Sequence, residues 1–126
     1  MQDEFTSIGT IYSPFNDPQG MPIQPRGAAE VIGRVVLLEE YEPGLTDLEE
    51  FSHIILIYHF HQSTGHELMV TPFLDQTQHG VFATRAPRRP NPIGLSIVQL
   101  VERQSNELIV RGIDVLNETP LLDIKP

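Results

Sequence analysis

The chain of 126 residues contains no cysteine. Disulfides, thiolate zinc sites, iron–sulfur clusters and a cysteine nucleophile are excluded, and redox chemistry loses its usual carriers. Tryptophan is absent and aromatics make up 7% of the residues, too few stacking platforms to favour a barrel that binds oligonucleotides without a cofactor. No apolar run nears the length of a membrane span, and Met1 to Thr10 lacks a basic start followed by an apolar stretch, so a cytoplasmic protein is expected. Eight basic residues against 17 acidic ones give a formal net charge of -9, which argues against broad, nonspecific attachment to nucleic acid. No glycine-rich loop opens a helix, which removes the Rossmann and P-loop routes to a nucleotide.

What remains is a chain of ordinary globular composition, 40% apolar and 20% charged. Its length suits a single domain over residues 1–126. Phe5, Ile8 and Ile11 form a short run ended by Ser13-Pro14, and a loop rich in Pro, Gly and Asn follows to Gly27. The β-branched run within Glu30 to Glu40 predicts a strand covered on both faces and ended by Pro43-Gly44. Thr46 and Glu49 have capping-box spacing, which predicts a helical turn over Thr46 to Phe51. His53 to His61 alternates Ile54, Leu56, Tyr58 and Phe60 with Ile55, Ile57, His59 and His61, the pattern of a central strand. Further strands are predicted at Glu67 to Pro72, Gly80 to Thr84 and Leu95 to Glu102, and at Glu107 to Val115 after the turn Ser105-Asn106. Short strands with little helical periodicity indicate an all-β antiparallel sandwich or closed barrel.

The basic charge is uneven, because Arg85, Arg88 and Arg89 fall in one short window of an acidic chain. They sit on a loop stiffened by Pro87, Pro90 and Pro92, where guanidinium forks match a cofactor carboxylate or an RNA phosphate, or simply pair with surface carboxylates. Asp114 and Asp123 form a second cluster, suited to an ammonium and ribose hydroxyls, or equally to a turn cap and an ion pair. His59 and His61 share a strand face in this reading. Two imidazoles fall short of a zinc site unless His53, His66, His79 or Asp75 is gathered in, so no metal is expected. Ser63 and Ser96 lack the surroundings of a nucleophile.

Several segments together resemble the TrmO family of transfer RNA methyltransferases. They are Phe51-Ser52-His53, Phe60-His61-Gln62, the stretch from Gly80-Val-Phe-Ala-Thr-Arg85 through Arg89-Pro90-Asn91-Pro92-Ile93-Gly94 to Ser96, and Thr119-Pro120 with Asp123-Ile124-Lys125-Pro126. The resemblance implies a single-sheeted antiparallel β-barrel that binds S-adenosylmethionine near a homodimer interface. It also implies N6-methylation of threonylcarbamoyladenosine next to the anticodon of threonine-decoding tRNA. Carried over by segment, cofactor contacts are expected at Pro25, Arg26 and Gly27, at His61 and Gln62, at Arg85 and Leu95, and at Arg111, Gly112, Ile113 and Asp114. Leu95 and backbone groups are expected to hold adenine, Asp114 to accept from ribose or ammonium, and an arginine to receive the carboxylate. Arg88, Arg89 and Lys125 are assigned to RNA phosphates. The sequence names no catalytic base.

The chain departs from the family pattern in three places. Ile23 stands where an arginine is expected in Pro22-Ile23-Gln24-Pro25, Asn117-Glu118 replaces Asp-Gly, and the sequence stops at Pro126 where relatives usually continue. The missing arginine and the early stop raise a second expectation, a noncatalytic module that binds S-adenosylmethionine and regulates or recruits a partner.

Overall fold

The computed structural model describes residues 2–18, 29–72 and 74–126. In chain order the strands are β1 (Gly9–Tyr12), β2 (Ile32–Leu37), β3 (His53–His59), β4 (Met69–Val70), β5 (His79–Gly80), β6 (Ile93–Gln104), β7 (Glu107–Arg111) and β8 (Thr119–Lys125). Six of them close into a barrel in the order β1-β2-β7-β6-β3-β8, and β8 pairs back with β1. Every neighbouring pair is antiparallel. This is the single-sheeted barrel that the resemblance implied, and closure leaves no edge strand in that sheet. β4 and β5 pair separately as a short flap. Among the described residues no helix is long and apolar enough to cross a membrane.

Strand alternation builds the interior. Ile54, Leu56 and Tyr58 of β3, Val98 of β6, Leu108 and Val110 of β7 and Leu121 of β8 all point inward and are buried. Leu45, Ile113 and Val115, which lie outside the strands, pack into the same core. The β6–β7 hairpin turns at Ser105, whose φ of 57° lies in the left-handed region. Next to it Asn106 fastens β2, its Nδ2 donating to Leu37 O at 2.6 Å.

The structure corrects several sequence-based boundaries. β2 is covered on one face only, with Ile32 and Arg34 exposed, and the chain after it forms a 3-10 helix over Glu39–Leu45 that contains Pro43. The expected capping box is not made, because the Thr46 hydroxyl donates back to Pro43 O at 2.8 Å. Only Leu48–Glu50 turns again after it. Val81–Ala83 is a 3-10 turn rather than a strand. β7 stops at Arg111, since Gly112 adopts a φ of 92° that turns the chain out of the sheet. β8, which the sequence reading left without a strand, closes the barrel. Glu118 stands just before it with a φ of 65°, a left-handed position that the family's glycine would occupy without strain.

Candidate functional site

One end of the barrel carries the C-terminal ends of β1, β3 and β7 and the N-terminal ends of β2, β6 and β8. A cavity of about 920 Å³ opens there. Its apolar wall is Tyr58, Phe60 and Leu95, and its polar groups include Asp114, Thr119, His61, Gln62 and the arginines of the proline loop.

The wall depends on Gly94. Tyr58 and Gly94 are direct partners in the β3–β6 register, and a Cβ at position 94 would lie 2.3 Å from Cε2 of Tyr58 and 2.7 Å from Cζ of Phe60. The bare glycine lets the two rings lie against β6, edge to face with centroids 5.5 Å apart. Tyr58 Oη then reaches Ser96 Oγ at 2.7 Å, and Ser96 Oγ donates to Asp114 Oδ1 at 2.5 Å. Burial pushes the Tyr58 phenol up to about 12; the Asp114 charge adds to the rise and the Arg85 charge opposes it.

The proline loop is tied to the turn that follows β3. Phe60 N donates to Pro92 O at 2.7 Å, Ser63 Oγ to Pro87 O at 3.1 Å, and Arg88 Nε to Thr64 O at 3.2 Å. Arg88 also pairs with Glu67 at 3.3 Å. Arg89 holds the loop to itself, donating through Nη1 to Thr84 O at 3.0 Å and Ala86 O at 3.2 Å. Arg85 differs: among the described residues it makes no hydrogen bond or ion pair, yet it lines the cavity.

The cavity therefore brings together His61, Gln62, Arg85, Leu95 and Asp114, with Arg88 and Arg89 beside them. β3 ends at His59, and the turn sealed by Ser63 N donating to Phe60 O carries His61 into the cavity while His59 stays exposed. The two histidines thus do not share a strand face, and His61 Nδ1 lies 3.5 Å from Thr119 Oγ1. Arg111, Gly112 and Ile113 do not line the cavity. Arg111 projects from the barrel wall beside Gln99 and Glu30, Gly112 N donates to Val31 O, and the Ile113 side chain is core. Lys125 ends β8 at the opposite mouth, roughly 20 Å along the strand from Thr119, and pairs with Asp123 at 3.1 Å. The two carboxylates of the second cluster are thereby separated, Asp114 into the cavity and Asp123 into a surface ion pair. Pro25, Arg26, Gly27 and the Ile23 departure lie outside the described residues. Among the described residues no three His, Asp or Glu side chains gather in a metal-binding group.

Sequence reasoning missed Tyr58, Phe60 and Thr119 as cavity residues, because each also satisfies the apolar or turn pattern of its segment. The glycine at 94 opposite an aromatic three residues before His61-Gln62 was the signal available.

A probable S-adenosyl-L-methionine-binding protein of Pyrococcus abyssi is 55% identical over 97% of this chain and 66% of its own length. The human tRNA (adenine(37)-N6)-methyltransferase is 35% identical over 94% of this chain and 29% of its own. The crystal structure of TrmO from Pseudomonas aeruginosa superposes with a TM-score of 0.83 at 39% identity, covering 100% of this chain and 56% of that one. The chain thus spans between 29% and 66% of the length of these three relatives. The sequence profile of the tRNA-methyltransferase O N-terminal domain matches residues 10–126, and the chain belongs to that family.

Proposed function

We propose that the cavity binds S-adenosylmethionine and that the chain methylates N6 of threonylcarbamoyladenosine beside the anticodon of threonine-decoding tRNA. The observation that carries this reading is the inventory of one cavity: an aromatic and apolar wall, a carboxylate braced by a buried hydroxyl, and a guanidinium that no other described residue pairs. Those groups fit an adenosyl moiety with a charged amino-acid tail. The names of the Pyrococcus and human relatives support its coarser part, S-adenosylmethionine binding and N6-methylation of adenine 37 in tRNA.

When bound, S-adenosylmethionine supplies an electrophilic methyl group on a positively charged sulfur. Tyr58 and Phe60 offer ring faces suited to a cation and keep water from the cavity wall. Leu95 covers the apolar side of a base, while Asp114 and Arg85 fix the polar ends. Catalysis then rests mainly on holding acceptor nitrogen and methyl carbon in line, a contribution of several kcal/mol (of the order of 7–11 kcal/mol at best) that needs no nucleophile from the chain. Arg88 and Arg89 put positive charge on the same rim, where RNA phosphates would approach.

The reading includes a homodimer. The outward positions of β3 and β6 are apolar where a solvated wall would be polar: Ile55 faces Ile97 and Ile57 faces Leu95 in the register, with Ile93 beyond them. Leu95 and Ile93 also line the cavity, so a second copy seated on this face would cover the site's edge. By contrast the wall at β2 and β7 carries the Arg34–Glu107 ion pair at 2.8 Å.

The test is incubation of the purified chain with methyl-labelled S-adenosylmethionine and tRNA carrying threonylcarbamoyladenosine. Label in the tRNA, with the N6-methylated nucleoside identified by mass spectrometry, is expected. The Pyrococcus relative is named for binding alone, which keeps a noncatalytic S-adenosylmethionine-binding module as the second reading. Calorimetric binding without label transfer would establish that reading, and neither would overturn both.

A further inference from the structure

The methyltransferase reading leaves unexplained why two hydroxyls are buried inside the barrel. Tyr58 and Ser96 are each 5% exposed, at positions where alternation asks only for apolar side chains. A buried hydroxyl is costly unless it is hydrogen-bonded. Both are satisfied by a single chain of contacts, Tyr58 Oη to Ser96 Oγ at 2.7 Å and Ser96 Oγ to Asp114 Oδ1 at 2.5 Å. The direction of the chain follows from its end. A carboxylate only accepts, so the Ser96 proton goes to Asp114 and the Ser96 oxygen is left to accept from the Tyr58 phenol.

The geometry is set by three features. Gly94 lets the Tyr58 ring lean across β6 toward Ser96. Ile113 and Val115 on either side of Asp114 are anchored in the core, which fixes the backbone that carries the carboxylate. On the same cavity Arg85 has neither hydrogen bond nor ion pair among the described residues. Both the Asp114 and the Arg85 charges act on the Tyr58 phenol, in opposite directions. One cavity thus holds a braced anion and a cation without a partner among the described residues, and the two do not pair with each other.

We infer that Tyr58 and Ser96 are positioning residues which hold Asp114 so that it takes the ammonium of a zwitterionic amino-acid tail while Arg85 takes its carboxylate. The inference rests on the S-adenosylmethionine reading and deepens it, by assigning the two charges to the two ends of the tail and the buried hydroxyls to the support of one of them. Ribose hydroxyls are the competing partner for Asp114, and the probes below separate the two.

The experiment is calorimetric titration of the whole chain and of Tyr58→Phe, Ser96→Ala and Asp114→Asn, using S-adenosylhomocysteine and, separately, 5′-methylthioadenosine, which lacks the amino-acid tail. Asp114→Asn should weaken S-adenosylhomocysteine about 10-fold or more, the scale of a lost charge-assisted hydrogen bond, and leave 5′-methylthioadenosine nearly unchanged. Tyr58→Phe and Ser96→Ala should each weaken S-adenosylhomocysteine by about 3- to 10-fold. Neither should add a further loss in the Asp114→Asn background, because a residue acting through Asp114 has nothing left to act on. Equal losses for both compounds, or losses that add to that of Asp114→Asn, would overturn the inference and leave the hydroxyls as barrel packing.

If the unaltered chain binds neither compound, the S-adenosylmethionine reading and the tail assignment fall together, and the positioning chain is read without ligand. The Cζ resonance of ¹³C-labelled Tyr58 titrates with the phenol, which faces Ser96, Asp114 and Arg85. Asp114→Asn should bring its midpoint down from about 12, because a charge that opposes ionisation is gone. An unmoved midpoint would show that the three groups are not linked.

Discussion

At position 58 the alternation of β3 asks only for a large inward side chain, and phenylalanine would meet that demand. The phenol makes the position dependent on pH. Its ionisation in the folded barrel is pushed up to about 12, chiefly by burial, against an ordinary value of about 10 in the unfolded chain. The folded state therefore holds this proton more tightly than the unfolded one. The resulting stability is fully present below pH about 10 and is lost as pH rises through about 12, an amount on the order of 2–3 kcal/mol. Chemical denaturation of the unaltered chain and of Tyr58→Phe at intervals from pH 8 to 12 checks this. The alkaline fall in stability should be clearly smaller in the variant, and identical profiles would place its cause elsewhere. A sequence displays the tyrosine but not its depth, and depth is what turns an ordinary phenol into part of a site.

The proline loop shows what was legible at the scale of an element, and why. Three prolines in a short span announced a stiff loop with arginines on it, because proline acts through the local backbone and needs no partner to be read. Which arginine is free depends on the turn over residues 60–67, and no local pattern carries that information. The sequence alone assigns Arg88 and Arg89 to RNA together. In the fold, Arg89 spends Nη1 on two carbonyls of its own loop, whereas Arg88, which bonds Thr64 O and Glu67, still keeps a half-exposed guanidinium at the rim. The two replacements should therefore differ. Arg88→Ala is expected to weaken tRNA binding and lower its salt dependence by about one unit of slope, with cofactor affinity nearly unchanged. Arg89→Ala should loosen the segment that presents Arg85 and so weaken cofactor and tRNA alike. Filter binding across a salt series, alongside calorimetry, separates the two, and equal effects on cofactor affinity would refute the distinction. β3, β6 and β7 were legible from period-two alternation. β8 was not, because its Thr119-Pro120 start and its bulge opposite Ile57 and Tyr58 interrupt the period.

At the scale of the whole molecule, a closed barrel has no edge through which to associate, so contact between barrels of two copies uses the outside of the wall. That wall is uneven. Next to β2 and β7 it carries Arg34, Glu107 and Arg111, while along β3 and β6 it presents Ile55, Ile57, Ile93, Leu95 and Ile97, of which Ile97 is 63% exposed. The net charge of -9 keeps copies apart at long range, so association through the apolar area of this face should strengthen with added salt, the reverse of the tRNA interaction. Sedimentation velocity at micromolar concentration is expected to give a dimer, more complete at high salt. Ile97→Asp should shift it to monomer with little loss of thermal stability, because the side chain touches solvent and not the core. In the monomer S-adenosylmethionine should bind more weakly if the second copy covers the cavity edge at Ile93 and Leu95. A wild-type chain that sediments as a monomer at both salt concentrations would remove the second copy from the reading. A dimer indifferent to Ile97→Asp would move the interface to another wall.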